Sequence, residues 1–369
     1  MMDMSAQVTP AVSPSRLWLA LIARRAESIM LPLCALLFGF AVFSLFLLVQ
    51  DKSPAHFFSL VYRAGFGTVF SWENTLSRTA PLLLAALCVA LPARLGLVVI
   101  GGEGAIVLGG VAAGATGVML ASSAPLVALP LMAACAMAVG AVWIGVVGAL
   151  RHFRGVNETI ASLLMAYIAI ALMNHLVEGP LRDPQSLNKP STAPLAEPLR
   201  VGNIPGWEVH WGLVVGVICC VLTWVLIEKT TWGFAARIAG GNVRAAQVQG
   251  LPVGRLIVGF TALGGVFAGL AGFFEVAAVH GSANASLAGG YGYTGILIAF
   301  LARHNPLAIL PVAILLAGFE ASSGLVQRRM DLPDATTLVL QGFVFISILL
   351  SETLYGRFKI FAPERWRSP

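Results

Sequence analysis

Two apolar runs, Trp211–Ile227 (WGLVVGVICCVLTWVLI) and Leu256–Val279 (LIVGFTALGGVFAGLAGFFEVAAV), enclose the polar stretch Thr230–Gly250, TTWGFAARIAGGNVRAAQVQG. Each outer run has about the length a helix needs to cross roughly 30 Å of hydrocarbon. The stretch between them is basic and rich in small residues, too long for a tight turn and too short for a domain. Its punctuation is that of a structured element. Gly240-Gly241 breaks the preceding piece, Asn242 can cap a helix, and Gly250-Leu251-Pro252 stops it. The residues from Val243 to Gln249 make about two helical turns. A short capped helix across the mouth of a membrane bundle is a form suited to receiving force from a separate motor.

Working outward, the composition fixes the class. The chain has 369 residues, 58% hydrophobic and 11% charged, with a mean hydropathy of +0.85, far from any soluble domain. Runs near spanning length fall at 29–49, 79–92, 104–120, 125–150, 159–177, 211–227, 256–279, 295–302, 307–326 and 335–354. The expected fold is an all-α polytopic membrane protein of about 8–10 transmembrane helices, two of them short or broken. The spans occupy 29–355, between an amino-terminal tail, 1–28, and a carboxy-terminal tail, 356–369. The apolar run behind Arg16, Arg24 and Arg25 has the form of a signal anchor rather than a cleaved signal peptide.

Charge sets the orientation. With all segments crossing and the amino terminus cytoplasmic, fifteen of the 23 lysines and arginines fall on the cytoplasmic side. The positive-inside rule favours that arrangement. Both termini are then cytoplasmic, 229–255 is a cytoplasmic loop, and 178–210 is an outer loop. The outer loop is proline-rich and suits a semi-rigid lid or docking surface, or else an inert connector. The net charge of +6 is a topology signal with a contribution from anionic lipid, and calls for no nucleic acid.

The two short segments carry functional information. As helices, 79–92 spans about 21 Å and 295–302 about 12 Å. Each adjoins a glycine-rich break, 94–104 (RLGLVVIGGEG) and 281–295, which contains GGYGYTG at 289–295. Splitting the chain after the fifth segment puts a break after the second segment of each half. Five-segment repeats are necessarily inverted, and paired interruptions at matching positions point to a transporter's central site. Broken backbone at membrane depth is tolerated where it lines a cavity or is buried in protein. Gly264-Gly265, Gly269 and Gly272 have the different look of close helix packing.

Ionisable groups at these depths are costly and therefore become candidates. Glu103 lies in the first break, and Glu275 lies one turn from the outer end of its helix, followed by His280. Either could serve a solute path or a structural pair. Tyr291 and Tyr293 flank the second break, suited to stacking on a flat ligand or to an interfacial belt. Glu158 reads as an acid in a first helical turn, and Glu320 as a hydrogen-bonding partner of Ser322 or Ser323. The five cysteines all sit in apolar segments as small packing residues.

No Gly-Lys dipeptide exists for a phosphate-binding loop, and no His-Glu-x-x-His or Gly-x-Ser-x-Gly occurs. Nothing marks a metal site or a cofactor, and enzymatic chemistry is not expected within the chain. Energy for uphill transport has to come from an ion gradient or from a partner. A membrane-embedded scaffold is a third possibility.

The stretch 94–109 (RLGLVVIGGEGAIVLG) resembles the signature of ATP-binding-cassette permeases of the ribose-type and nucleoside-type importer group. The stretch 155–169 (GVNETIASLLMAYIA) resembles it too. The stretch 232–250 looks like their coupling-helix loop, and 289–306 (GGYGYTGILIAFLARHNP) like their second break. The match is collinear from about Thr75 to Leu350. GGEG, VNE and the GPLRD of 179–183 are most similar to the purine-nucleoside branch.

This resemblance implies an inner-membrane importer permease for a small polar solute, a nucleoside or simple sugar. It implies two cytoplasmic ATPase subunits, a second permease subunit and an extracytoplasmic solute-binding protein. It assigns ATPase coupling to Asn242, Val243, Arg244, Ala245, Ala246, Gln247 and Gly250, while the breaks themselves point to Glu103, Glu275, Tyr291, Tyr293 and Thr294 for the solute path. The chain departs from the pattern where it carries Val99, Ala105, Ala166 and Thr294, positions at which polar or acidic side chains are expected. Such a path is less polar than the pattern, which puts the solute in doubt.

Overall fold

The computed structural model describes residues 14–186 and 189–354, so the carboxy-terminal tail and the first thirteen residues lie outside it. The described chain is 77% helical with no strands. Its helices are α1 (Pro14–Val49), α2 (Pro54–Gly65), α3 (Val69–Ala93), α4 (Gly102–Met119), α5 (Pro125–Arg154), α6 (Glu158–Glu178) and α7 (Gly212–Lys229). They continue as α8 (Thr231–Gly241), α9 (Val243–Val248), α10 (Val253–Phe274), α11 (Tyr291–Leu301), α12 (Pro306–Met330) and α13 (Thr336–Leu354). Seven helices among the described residues are long and apolar enough to cross a membrane, or up to eight if an interrupted amino-terminal pair counts as one span. This is a polytopic helical membrane protein.

Contacts divide the chain into two units, one running to Pro54 and resuming at Val339, the other Ala55–Leu338. In the first, α1 and α13 meet where Gly39 leaves room for the backbone of Val344. The rings of Phe43, Phe46 and Phe343 close the same seam at centroid distances of 5.8 to 6.4 Å.

In the second unit α10 packs on α5, α3 and α4, while α3 also carries α11, α12 and α7. The windows of α3, α4 and α10 are 78%, 72% and 72% buried, against 28% to 33% for α5, α6 and α7. The inner three are apolar all round because they face protein on every side. The outer three show Leu126, Val142, Ile160, Leu164 and Leu222, an apolar surface suited to lipid or to another membrane chain.

The inner helices approach unusually closely. Gly265 faces the carbonyl of Gly140 on α5, Gly269 that of Ala136, and Gly272 that of Ile106 on α4, each leaving no room for a Cβ. With lipid as solvent, such packing between backbones replaces the hydrophobic drive as the source of helix association.

Sequence and structure differ at one expected short span. The segment 79–92 is the inner part of the 25-residue α3, about 37 Å long at 1.5 Å per residue. Its polar beginning stays helical because the hydroxyls are bonded. Ser71 Oγ donates to the Arg63 carbonyl (2.9 Å), Thr75 Oγ1 to that of Gly65 (2.8 Å) and Thr79 Oγ1 to that of Thr75 (2.8 Å). The second short segment is short indeed: α11 has 11 residues. Residues 14–28, assigned to a tail by apolarity alone, lie in the first turns of α1.

Candidate functional site

The first break is a non-helical stretch between α3 and α4, and its backbone groups are met by the start of α6. Asn157 Oδ1 caps α6 by accepting from Ile160 N (3.1 Å). The next turns supply three more side chains. Glu158 Oε1 accepts from Val98 N (3.5 Å), Thr159 Oγ1 donates to the Val98 carbonyl (2.9 Å), and Ser162 Oγ accepts from Ile100 N (3.0 Å). Positions 158, 159 and 162 share one helical face, which is why this motif can hold an unwound backbone at membrane depth. Glu158 is also paired with Arg151 Nε at 3.3 Å, so it ties the end of α5 to the break as well as opening α6.

The second break follows α10. The helix widens into a π-helical turn, Glu275–His280, ends at Gly281 (φ +69°), and the chain re-enters as α11 after Gly290 (φ +85°). No side chain of its own caps α11. Glu103 does so from the first break, its two carboxylate oxygens accepting from Gly290 N (2.7 Å) and Gly292 N (2.6 Å). A charged acceptor on free N–H groups at a helix N-terminus is among the stronger hydrogen-bonding arrangements. Only glycine fits at 292, where a Cβ would enter the Glu103 backbone. Glu103 therefore joins the two breaks directly.

Around this clasp lies a charged cluster. Thr294 Oγ1 donates to Glu320 Oε1 at 3.0 Å, so Glu320 bonds to a neighbouring helix, α11. Ser322 Oγ instead donates to the Phe319 carbonyl. Glu275 is 1% exposed and feels the charges of Arg78, Glu320 and Glu103. Its Oε2 is 3.4 Å from His280 Nδ1 yet receives no hydrogen bond, because that nitrogen is directed at the Glu275 carbonyl oxygen, 3.0 Å away. Tyr291 feels Glu275 and the same three groups. Tyr293 is 39% exposed and responds to Glu103 and Tyr167, so the two tyrosines do not share one surroundings. Arg78 was read only as an outer-side cation; an arginine adjoining an apolar run was the available signal. Val99, Ala105 and Ala166 are fully buried, Ala166 against Gly104.

The polar stretch after α7 folds as two helices. Thr230 Oγ1 caps α8 by accepting from Gly233 N (3.2 Å), and Asn242 Oδ1 caps α9 from Ala245 N (3.0 Å). Gly250 (φ +75°) ends the unit. In α9 only Ala246 is buried; Val243, Arg244, Ala245 and Gln247 are exposed, and Val248 is 89% exposed. The last turn of α8 rests on the first break, with Gly240 set against the Arg94 carbonyl and Leu95 Cα. Arg94 Nη2 in turn donates to the His304 carbonyl at 3.0 Å, between α11 and α12. Burial, then the nearby Arg94 charge, holds the His304 imidazole down at about 4.

At the opposite end the loop 178–210 is a strap. Thr192 N donates to the Ala283 carbonyl (2.9 Å), Leu195 N to that of Gly281 (2.8 Å) and Val201 N to that of Ala277 (2.9 Å). Thr192 Oγ1 accepts from Ala283 N (3.0 Å), and Lys189 Nζ meets Ser286 Oγ at 2.6 Å. The loop thus follows the segment that carries Glu275.

Inner helices with interrupted backbones, a buried charged cluster where the interruptions meet, and a lipid-facing outer layer define a membrane permease. Residues 71–349 match the family described as branched-chain amino acid transport system / permease component, and the chain belongs to that family. It is 33% identical to the glucose ABC transporter permease protein of Haloferax volcanii over 89% of each chain. It is 31% identical to the guanosine ABC transporter permease protein of Bacillus subtilis, over 90% of this chain and 96% of that one. Similarity to the nucleoside ABC transporter permease protein of Lactococcus lactis is 23% over 87% and 91%. These relatives are transport subunits, not enzymes.

Proposed function

We propose that this chain forms the translocation path of an ATP-driven importer for a small polar solute, a nucleoside or a simple sugar. It works in the inner membrane with both termini cytoplasmic. The observation that carries this is one continuous line of contacts. Helix α9 follows α8, Gly240 of α8 rests on Arg94 and Leu95, and these lead through the first break to Glu103. Glu103 holds the N-terminus of α11. A displacement at α9 therefore has a connected set of contacts by which to reach both breaks. The chain's similarity to glucose, guanosine and nucleoside permeases supports the solute class.

In this scheme α9, with Asn242, Val243, Arg244, Ala245, Ala246, Gln247 and Gly250, receives an ATPase subunit. Exposed Trp232, Phe234, Val243 and Val248 offer the apolar contact. The cluster of Glu275, Tyr291, Thr294, Glu320 and Arg78 lines the solute path, with Glu103 holding its frame and Tyr293 at its margin. The strap is the surface on which an extracytoplasmic binding protein acts. The meeting of the two breaks supports inverted five-helix halves, and a second permease subunit completes the assembly. Replacing Arg244-Ala245-Ala246 with acidic residues is expected to abolish ATPase co-purification and ATP-dependent uptake together. Retention of both would sink the scheme, and uptake driven by a sodium or proton gradient without ATP would replace it.

A further inference from the structure

We propose that the cleft between the end of α5 and the start of α10 binds an anionic phospholipid. The cleft measures about 580 Å³ and is lined by His152, Phe153, Val253, Arg255, Val258 and Gly259, among others. Its two ends differ in chemistry. At the mouth are the exposed Arg255 guanidinium and His152, and the exposed Arg154 follows Phe153 in sequence. The apolar walls are Val253, Val258 and the exposed Phe153, and nothing lies within 4 Å of where a Cβ on Gly259 would stand. The His152 ring stands against Gly254 and meets Phe153 edge-on at 4.8 Å.

Position along the span selects the occupant. From Val253 to Gly259 the open cleft runs roughly 9 Å along α10, inward from the end of a membrane span, and its Gly259 end is exposed. A phospholipid satisfies both ends, with its phosphodiester beside Arg255 and an acyl chain against Phe153, Val258 and the Gly259 groove. Basic pockets between spans on the cytoplasmic side select anionic headgroups in this way. The proposal rests on α10 being a membrane span, not on what solute is moved.

The test uses the purified transporter with its partner subunits, in vesicles of phosphatidylcholine alone or with phosphatidylglycerol. Co-purifying lipid is measured by mass spectrometry after detergent extraction. The native complex is expected to retain phosphatidylglycerol over phosphatidylcholine. Arg255→Gln should reduce that preference about fivefold, the effect of one cation near the membrane surface. Gly259→Leu fills the groove from open space and should lower retention of both lipids while Arg255 is intact. Size-exclusion profiles matching the native complex establish that each variant folds. Equal retention of the two lipids by the native complex overturns the proposal, as does unchanged retention in Gly259→Leu. Displacement of bound phosphatidylglycerol by millimolar inorganic phosphate would show a small-anion site instead. A Gly259→Cys variant protected from maleimide in lipid-depleted complexes would show that protein covers the cleft, which also overturns it.

Discussion

The carboxylate of Glu103 accepts the backbone N–H of Gly292 at 2.6 Å across 189 residues of sequence. With the second bond to Gly290, this acid is the cap that α11 lacks in its own sequence. Replacing it by alanine strands two donors in a buried place, each costing about 1–3 kcal/mol. Glu103→Ala is expected to lower thermal stability and cut uptake at least tenfold, with the ATPase still bound. Glu103→Gln keeps one acceptor and should fall between. An unaltered melting temperature in Glu103→Ala would remove the clasp.

Glu275 should behave differently, since its Oε2 is buried without a hydrogen bond and an amide of the same size forfeits no bond there. Glu275→Gln is expected to leave the melting temperature within a few degrees of the native protein while uptake falls at least tenfold. Parallel losses of stability and uptake would make it a structural partner of His280 instead. Uptake equal to native would take it off the solute path.

Gly240 tests transmission rather than assembly. A side chain there enters the Arg94 carbonyl, so Gly240→Val should separate α8 from the first break. ATPase subunits are expected to remain bound and to hydrolyse ATP, with uptake per ATP reduced several-fold. Loss of ATPase binding alongside uptake would mean that α8 shapes the docking surface and does not relay movement.

His304 gives the second unit a pH dependence. Its folded pKa, about 4, lies below the ordinary histidine value of about 6.5. Between these values the unfolded chain binds the proton more readily. The stabilisation is therefore complete above about pH 6.5 and is lost progressively as pH falls toward 4. His304 sits at φ +55°, a conformation asparagine also tolerates. His304→Asn should flatten the melting temperature between pH 6.5 and 4.5 relative to the native protein; an unchanged slope would place the titration elsewhere.

Much of this architecture was legible because local chemistry and tertiary role coincide. Asn242 caps α9 by a side chain three residues from its donor, Ala245 N, and glycines on α10 meet glycine and alanine on α5 at helical spacing. The length of α3 was not legible, because hydropathy counts Ser71, Thr75 and Thr79 as polar and cannot see their bonds to backbone carbonyls. Nor was the partner of Glu103, since no local pattern announces that a carboxylate will cap a helix 187 residues away. Arg78 was hidden for the same reason: its relevance lies in carboxylates brought from α4, α12 and the end of α10.

The glycine seams of α10 bear on how the molecule can move. Between carbonyl and Cα there is no flexible side chain to take up slip, and a gap of 0.5–1 Å already forfeits a quarter to a half of each dispersion contact. Helices α4, α5 and α10 therefore share their degrees of freedom and travel as one block. The 11-residue α11 meets the same constraint, with Gly292 against the Glu103 backbone and Gly295 against that of Ala85, so the block extends to the helix that the carboxylate caps.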